Sequence, residues 1–503
     1  MNRFVTLLLA SVAFATVASA QPVTHSSNYT EEEMSIIKAL RQVKDSDIDA
    51  WCKKMVSEEF RGRRTGDIGF DRAAQWAADH FKEWGLKPFG DNGTYMNVFD
   101  QPYNEVLERG ALKGYFVQGK DTIVKNYEYL VDFFPSALSG NGEVKAEVVY
   151  VGYGITAPEL NYDSYKGADV KGKIVLCELA VPYTGSNNDT LEMWAKHLPT
   201  AEKIKNAVAH GAAGLLYINP GSSPAPAVDE KFLACYVSEN VAKDFLAGTK
   251  YSLEKLRGLN AQNKGVVVFT GKEASLSAVT KYYADRKGAN IVGILEGTDP
   301  QLKNEYIIVG GHIDHLGLMP GLFPGALDNA SGSAIVMGVA KSLAQSGVKL
   351  KRSVVFILFG AEELGLLGAK HYVETKPMST DQIVCLINLD MLGKGDAIRA
   401  SMSDLAPNLP EHFVNSISKW VHMPVTATVT PWKYSVRPRT DGAAFANARI
   451  PAVEFRLTST GPREAIYYHH PNDTMVQLDV TDMNNAVKAL TVAVIDIAQN
   501  YQK

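Results

Sequence analysis

Apolar and polar positions along the chain fall into three regimes. From about residue 31 to 86 the apolar residues recur at helical spacing. Residues 31–43 predict one helix, and Ala73, Ala74, Trp76, Ala77, Phe81 and Trp84 predict a second over 70–84 that Gly85 stops. Between about 130 and 275 the pattern breaks into short β-rich runs (EVVYVGYG, KIVLCEL, GLLYINP, GVVVFTG) separated by Gly, Pro and Asn, with one helix over 201–209. Such a stretch predicts a self-contained α+β insertion. From about 290 the pattern becomes strand, loop, helix, repeated. NIVGILEG, YIIVGGH, SVVFILFG, QIVCLINLD and PAVEFRL are nearly continuous apolar runs, as buried strands of a mixed sheet require, and helices are predicted over 331–345, 365–373 and 482–499. The expected fold class is α/β: a three-layer mixed-sheet domain, discontinuous over 21–129 and 276–503, with an α+β insert at 130–275.

The first twenty residues stand apart. Arg3 is their only charge, an apolar run follows over 4–17, and Ala18-Ser19-Ala20 closes the segment. A basic start, a short greasy core and an A-x-A end predict a signal peptide over 1–20, cut before Gln21, and hence a periplasmic or secreted protein. The run is too short to span a bilayer comfortably, no Cys near the cut suggests a lipid anchor, and no other apolar stretch predicts a membrane span. The 503 residues are 46% hydrophobic and 21% charged, which excludes disorder and coiled coil. Lys+Arg 51 against Asp+Glu 55 leaves a net charge of -4, so no basic field gathers a phosphate backbone and nucleic acid is not an expected partner. Cys52, Cys177, Cys235 and Cys385 are sparse and form no C-x-x-C, which excludes a zinc ribbon or a disulfide scaffold; Cys177 with Cys235 is the one pair to consider for a disulfide, and Cys385 reads as core.

Two motifs are decoys. Gly152-Tyr-Gly154-Ile-Thr-Ala157 matches the dinucleotide fingerprint, but Pro158 and the polar residues after it predict a loop where a helix must open. Gly167 to Lys173 nearly matches a phosphate-binding loop, yet Ile174 stands where Ser or Thr must hold magnesium, and the segment runs into a strand. Neither G-x-S-x-G nor H-E-x-x-H occurs.

Chemistry-bearing residues gather at the ends of the predicted strands in the second half. YIIVGGHIDHLG supplies His312 and Asp314, GALDNASG supplies Asp328 ahead of a helix, SVVFILFGAEE supplies Glu362 and Glu363, QIVCLINLD supplies Asp390, and EAIYYHHPNDT supplies Tyr468 and His469. Each alone has an ordinary explanation: a satisfied polar residue, a helix cap, or a carboxylate favoured by a helix dipole. Together they place hard and borderline metal ligands where an open α/β sheet forms its ligand crevice. The charges of Asp328, Glu363 and Asp390 are balanced by two zinc ions and one hydroxide, and imidazole with carboxylate but no thiolate suits catalytic zinc.

GGHIDHLG, GALDNASG, FGAEELGLLGAKHY, INLDMLG and YHHPNDT resemble the motif set of the co-catalytic di-zinc exopeptidases of clan MH, which include bacterial leucyl aminopeptidases and glutamate carboxypeptidase II. VVYVGYGITAPELNYDSYKGADVKGKIVL resembles the protease-associated domain inserted in many of them, and TGDIGFDRAAQWAADHFKEWGLKP their N-terminal helix. The resemblance implies two zinc ions, one held by His312 and Asp390, the other by Glu363 and His469, with Asp328 bridging and a cis peptide after Asp328. It also implies Asp314 as the partner of His312, Glu362 as general base, Tyr468 as oxyanion donor and Arg439 as a substrate-orienting residue. Gly442 stands where the family commonly has His, and His315 and His470 read as structural. The segment 316–324 reads either as an apolar pocket lining or as a covering loop. The expected activity is removal of N-terminal residues from peptides. Competing readings are a carboxypeptidase or dipeptidase on the same metals, a one-zinc glutaminyl cyclase, and a non-catalytic binding protein. Two roles are open for the insert: a roof over the crevice that limits substrate size, or a homodimer contact.

Overall fold

The structure, a computed structural model, describes residues 29–183, 188–219, 229–262, 264–432, 440–461 and 466–503. The expected signal peptide and Arg439 lie outside them. Among the described residues nine strands form the larger sheet. Its centre is parallel: Tyr306–His312 lies between Ser353–Phe359 and Ile383–Leu389, and Ala452–Thr458 follows on the far side of Ile383–Leu389. Antiparallel strands Lys287–Leu295 and Ala397–Ser403 flank this centre.

Alternate side chains of the central strands enter two different cores. Ile307, Val309, Val354, Phe356 and Leu358 pack with helices Ile68–Trp84, Ser331–Ser346 and Val480–Asn500. Ile308, Val355, Ile357 and Phe359 pack with helices Leu367–Thr375 and Asp441–Asn447 on the other face. Both faces are covered, which is why these strands read as unbroken apolar runs. The three-layer expectation holds. Helix ends follow local chemistry. Thr30 and Glu33 form a capping box on the first helix, which stops at Ala39 short of the expected residue 43, and Asp45–Met55 forms a separate helix. Asp67 caps Ile68–Trp84, and Gly85 ends it in the left-handed conformation at φ 88°.

The insert is built on an eight-stranded sheet with helices Thr200–Ala209, Glu239–Leu246 and Leu253–Ala261 against it. Strands Ala111–Gln118 and Asp121–Asn126, expected outside the insert, pair into this sheet through Val268–Ala278. Most of their side chains are exposed or half-exposed, so they lack the apolar run that marks the other strands. Both decoys prove to be turns. The Gly152 loop leads into the two-residue strand Thr156–Ala157, and the Gly167–Lys173 segment enters strand Ile174–Glu178. Cys177 and Cys235 form no disulfide. Strand Gly214–Ile218 lies between theirs, Cys235 pairs with Leu216 while Cys177 pairs with Tyr217, and the two thiols enter opposite cores. Two interstrand spacings exceed the reach of a disulfide.

Insert and nine-stranded sheet meet at a short hairpin, Gly317–Leu318 with Leu322–Phe323. Leu316, Met319 and Phe323 are buried against Val106, Phe134 and Ala137. The Tyr129 hydroxyl donates to Met319 O (2.5 Å) and accepts from Gly321 N (2.6 Å). Segment 316–324 is thus the seat of the insert, and none of its side chains lines the large cavity described below. No helix among the described residues is long and apolar enough to cross a membrane.

One buried charge in the insert has a thermodynamic consequence. Lys203 is wholly buried, its ammonium donates to Ala180 O at 2.7 Å, and burial pulls its pKa down to about 7. The folded chain therefore releases this proton well before the unfolded chain does. The resulting stability is fully present above the ordinary lysine pKa and is lost as pH falls through 7. Stability is expected to rise by about 2 kcal/mol from pH 7 to 9 through this group. Chemical denaturation should show the rise in the wild type and its loss in Lys203→Met.

Candidate metal centre

The parallel strands end level with one another. His312 closes its strand opposite Phe359, and Gly310 pairs with Asn388, so His312, the Gly360–Glu363 turn and Asp390 emerge side by side at the carboxyl edge. Asp328 approaches from the turn ahead of helix Ser331–Ser346, and the peptide after it is cis, as expected. His469 arrives from the late loop, with the Tyr468 ring stacked on its own at 3.7 Å between centroids. Five chain segments distant in sequence thus meet at one place.

His312 Nε2 lies 3.3 Å from Asp328 Oδ1 and 3.4 Å from Asp390 Oδ1. His469 Nε2 lies 3.2 Å from Asp328 Oδ2 and 2.9 Å from Glu363 Oε2. One carboxylate therefore presents its two oxygens to two different histidines, each of which has a second carboxylate beside it. Asp314 stands behind His312, but the nearer acceptor for His312 Nδ1 is the Asp314 carbonyl at 3.2 Å, with the carboxylate at 3.6 Å. The Asp314 carboxylate instead receives the amides of Glu362 (3.2 Å) and Glu363 (3.4 Å), which fixes the turn that carries both. His315, expected to be structural, is buried at the cage with Nδ1 2.8 Å from Glu363 Oε1.

Charge dominates this place. Asp314, Asp328 and Glu363 are buried, and Glu362 and Asp390 are half-buried at the rim. Burial opposes ionisation of the histidines, but Glu362, Asp314, Asp328 and Asp390 carry His312 well above its ordinary range. Glu363 and Asp328 carry His469 to about 9. Against the cost of burial, His312 and His469 hold Asp328 well below the usual carboxylate range. Glu362 and Glu363 diverge. Burial, with Asp441, Glu363 and Asp390 nearby, pushes Glu362 far up; Glu363, despite burial and Asp328, is held at about 2 by His469 and His315.

The donor set fits a divalent cation of borderline hardness. Asp328 Oδ2, His469 Nε2 and His315 Nε2 are buried without a hydrogen-bond partner among the described residues, although the first two lie 3.2 Å apart. Close approach without hydrogen-bond alignment is what lone pairs aimed at a shared ion produce. Three groups have ligand atoms that all lie within 4.8 Å of one another: His312 with Asp328 and Asp390, His312 with Glu362 and Glu363, and His315 with Asp328 and Glu363. A cavity of about 690 Å³ opens over the cage, lined by His312, Asp328, Glu362, Asp390, Thr440 and Tyr468. Glu363 and His469 lie behind this lining.

Two further carboxylates at the site were given no role by the sequence reading. Asp473 accepts the amides of Leu327 (2.8 Å) and Asp328 (3.0 Å) and so holds the Asp328 turn. Its only trace in the sequence is its place four residues after His469 in YHHPNDT. Asp441 is buried with both oxygens unpartnered among the described residues, and burial together with Asp314, Asp390 and Glu454 pushes it well up, against the pull of His312. Gly442 beside it is buried and does not line the cavity. His470 accepts the Asn472 amide at 3.1 Å, a local turn contact.

Comparison with known proteins places these features. The family described as Peptidase family M28 matches residues 290–494, and the PA domain matches residues 144–245. The aminopeptidase YwaD of Bacillus subtilis is 26% identical over 386 residues, covering 74% of this chain and 72% of its own. The structure of BSAP, a zinc aminopeptidase from Bacillus subtilis, superposes with a TM-score of 0.57 at 22% identity, covering 92% of this chain and 97% of that one. A peptidase M28 precursor from Shewanella amazonensis superposes with a TM-score of 0.62 at 17% identity, covering 94% and 97%. Both structures share the overall fold.

A cation that binds this cage in the folded chain alone must stabilise it. At 100-fold excess of free Zn2+ over its dissociation constant, each site is expected to contribute about 2.7 kcal/mol. Thermal melting should therefore move up with Zn2+ and down with a chelator, and a melting curve indifferent to both would contradict the cage.

Proposed function

The chain belongs to peptidase family M28 and carries a PA domain, and from that premise we propose that it is an exported di-zinc aminopeptidase that removes N-terminal residues from peptides. The observation that carries the reading is the Asp328 carboxylate, whose two oxygens face His312 and His469 separately at 3.3 and 3.2 Å. In this assignment His312 and Asp390 hold one zinc, Glu363 and His469 the other, and Asp328 is common to both. The zinc named for the Bacillus subtilis structure and the borderline donor set support the choice of ion. When bound, the ions supply Lewis-acid polarisation of the scissile carbonyl and lower the pKa of a water. Export rests on the basic, apolar and A-x-A pattern of residues 1–20.

The remaining work falls to the chain itself. Glu362 and Glu363 are neighbours in opposite electrostatic settings, and such a split divides proton transfer from ligation. Glu363, held ionised beside His469 and His315, is the ligand. Glu362, raised by burial and open to the cavity, is the general base: it takes the proton of the attacking water and returns it to the leaving amine. Asp314 acts on both by clamping the amides of residues 362 and 363 and by standing behind His312. Tyr468, stacked on His469 at the cavity wall, donates to the developing oxyanion. Asp390 and Glu362 at the rim give the substrate's α-ammonium a carboxylate-rich seat. Arg439 is assigned to substrate orientation from its motif alone. The insert, taken as residues 111–278 from its sheet, is fixed to the hairpin that follows His312 and limits the substrate's approach.

Protein recovered outside the cytoplasm, with its N-terminus expected at Gln21, should cleave a C-terminally amidated peptide and leave an N-acetylated one intact. Cleavage of the N-acetylated peptide alone would make it a carboxypeptidase. Glu362→Gln should lower kcat by about 100- to 10,000-fold while elemental analysis still finds two zinc ions per chain; loss of zinc together with activity would make Glu362 a ligand and not the base.

A further inference from the structure

Beneath the cage lies a cation that the peptidase reading does not use. Arg63 is wholly buried, and its guanidinium donates to four backbone carbonyls. Nε reaches Ile313 O at 2.8 Å, Nη1 reaches Met55 O at 2.5 Å and Pro324 O at 2.8 Å, and Nη2 reaches Gly325 O at 2.8 Å. No carboxylate is hydrogen-bonded to it among the described residues, and the charges that act on it are those of Asp473, Asp314 and Asp328. Burial lowers its pKa to about 10, so it remains a cation at neutral pH.

The backbone is shaped to deliver this side chain. Arg61, Gly62 and Arg63 all have positive φ (49°, 70° and 54°). At Gly62 a Cβ would fall 2.6 Å from the carbonyl oxygens of Gly317 and Phe323, so only glycine lets this turn press on the hairpin that seats the insert. The Arg63 carbonyl in turn accepts the His315 amide at 3.3 Å.

Three of the four acceptors lie on the segments that carry the cage, and the fourth, Met55 O, is at the end of helix Asp45–Met55. Ile313 lies between His312 and Asp314, and Pro324 and Gly325 open the turn that ends in Asp328. Asp473 holds that same turn from the other side through the amides of Leu327 and Asp328. The two segments that present His312 and Asp328 are therefore tied together by one rigid, charged fork. A planar guanidinium can hold several carbonyls in fixed directions, whereas an ammonium on a flexible stem cannot. Its charge also offsets part of the carboxylate excess just above it.

We infer that Arg63 is a positioning residue for the metal cage, setting the spacing of His312 and Asp328 and hence the affinity for zinc. The inference rests on the metallopeptidase reading. It is tested on the full chain with Arg63→Lys and Arg63→Gln, and with Arg352→Lys as a control. Arg352 is also buried but binds Glu305 and the carbonyls of Ile497 and Ala498, ahead of strand Ser353–Phe359 at its opposite end from the cage. Zinc affinity is measured by competition with a chromophoric chelator, alongside melting temperature of the metal-free protein and kcat and KM at saturating zinc. Arg63→Lys should bind zinc about 10- to 100-fold more weakly, the range found when a group supporting metal ligands is lost, with kcat falling more than KM changes. Arg352→Lys should melt lower yet keep wild-type zinc affinity. Should Arg63→Gln not fold, Arg63→Lys decides. Wild-type zinc affinity and kcat in an Arg63 variant that merely melts lower would reduce Arg63 to a fold staple and overturn the inference. Wild-type protein that bound no zinc would instead overturn the metallopeptidase reading, and this inference with it.

Discussion

Concentrated negative charge at the level ends of parallel strands is the constraint around which this molecule is organised. Asp314, Asp328, Glu362, Glu363 and Asp390 are brought together where water is partly excluded, and uncompensated charge there is costly. The chain answers with donors of several kinds. Backbone amides of residues 362 and 363 go to Asp314, and those of residues 327 and 328 go to Asp473. The imidazoles of His312, His315 and His469 stand among the carboxylates, and the guanidinium of Arg63 lies below. What is left over is the lone-pair-rich space between His312, Asp328 and His469, which calls for cations.

The rest of the architecture serves that arrangement. Two buried faces make the central strands stiff and keep their ends level, so that separate loops need travel only a short distance to converge. The insert is not hung on a free linker. It is seated through Phe134, Ala137 and Tyr129 on the hairpin that directly follows His312 and Asp314, and Gly62 fits into the other side of that hairpin. The insert and the cage thus share one loop.

Much of this was legible beforehand, and for identifiable reasons. Strands buried on both faces leave unbroken apolar runs, so the central sheet could be read without coordinates. Edge strands such as Asp121–Asn126 leave no such record, because every one of their side chains is exposed, and their membership of the insert followed only from pairing with Ala111–Gln118. The end of Ile68–Trp84 was readable because glycine favours the left-handed cap at Gly85, whereas its start under the Asp67 cap and the stop after Ala39 were not.

At the site the division is equally physical. Residue types at strand ends and in two loops offered His312, Asp314, Asp328, Glu362, Glu363, Asp390 and His469 as a group, each with an ordinary explanation of its own, and the resemblance of their motifs singled out His312, Asp328, Glu363, Asp390 and His469 as the ligand candidates. Convergence, and the two-sided position of Asp328, was decided only by tertiary structure. So were the roles of Arg63, Asp473 and His315. Their partners are backbone groups or side chains from remote segments, and a contact between positions 63 and 313, or 473 and 328, leaves no periodicity or spacing in the sequence. Local order and chemical inventory are written along the chain, while distances between remote segments exist only once the chain has folded.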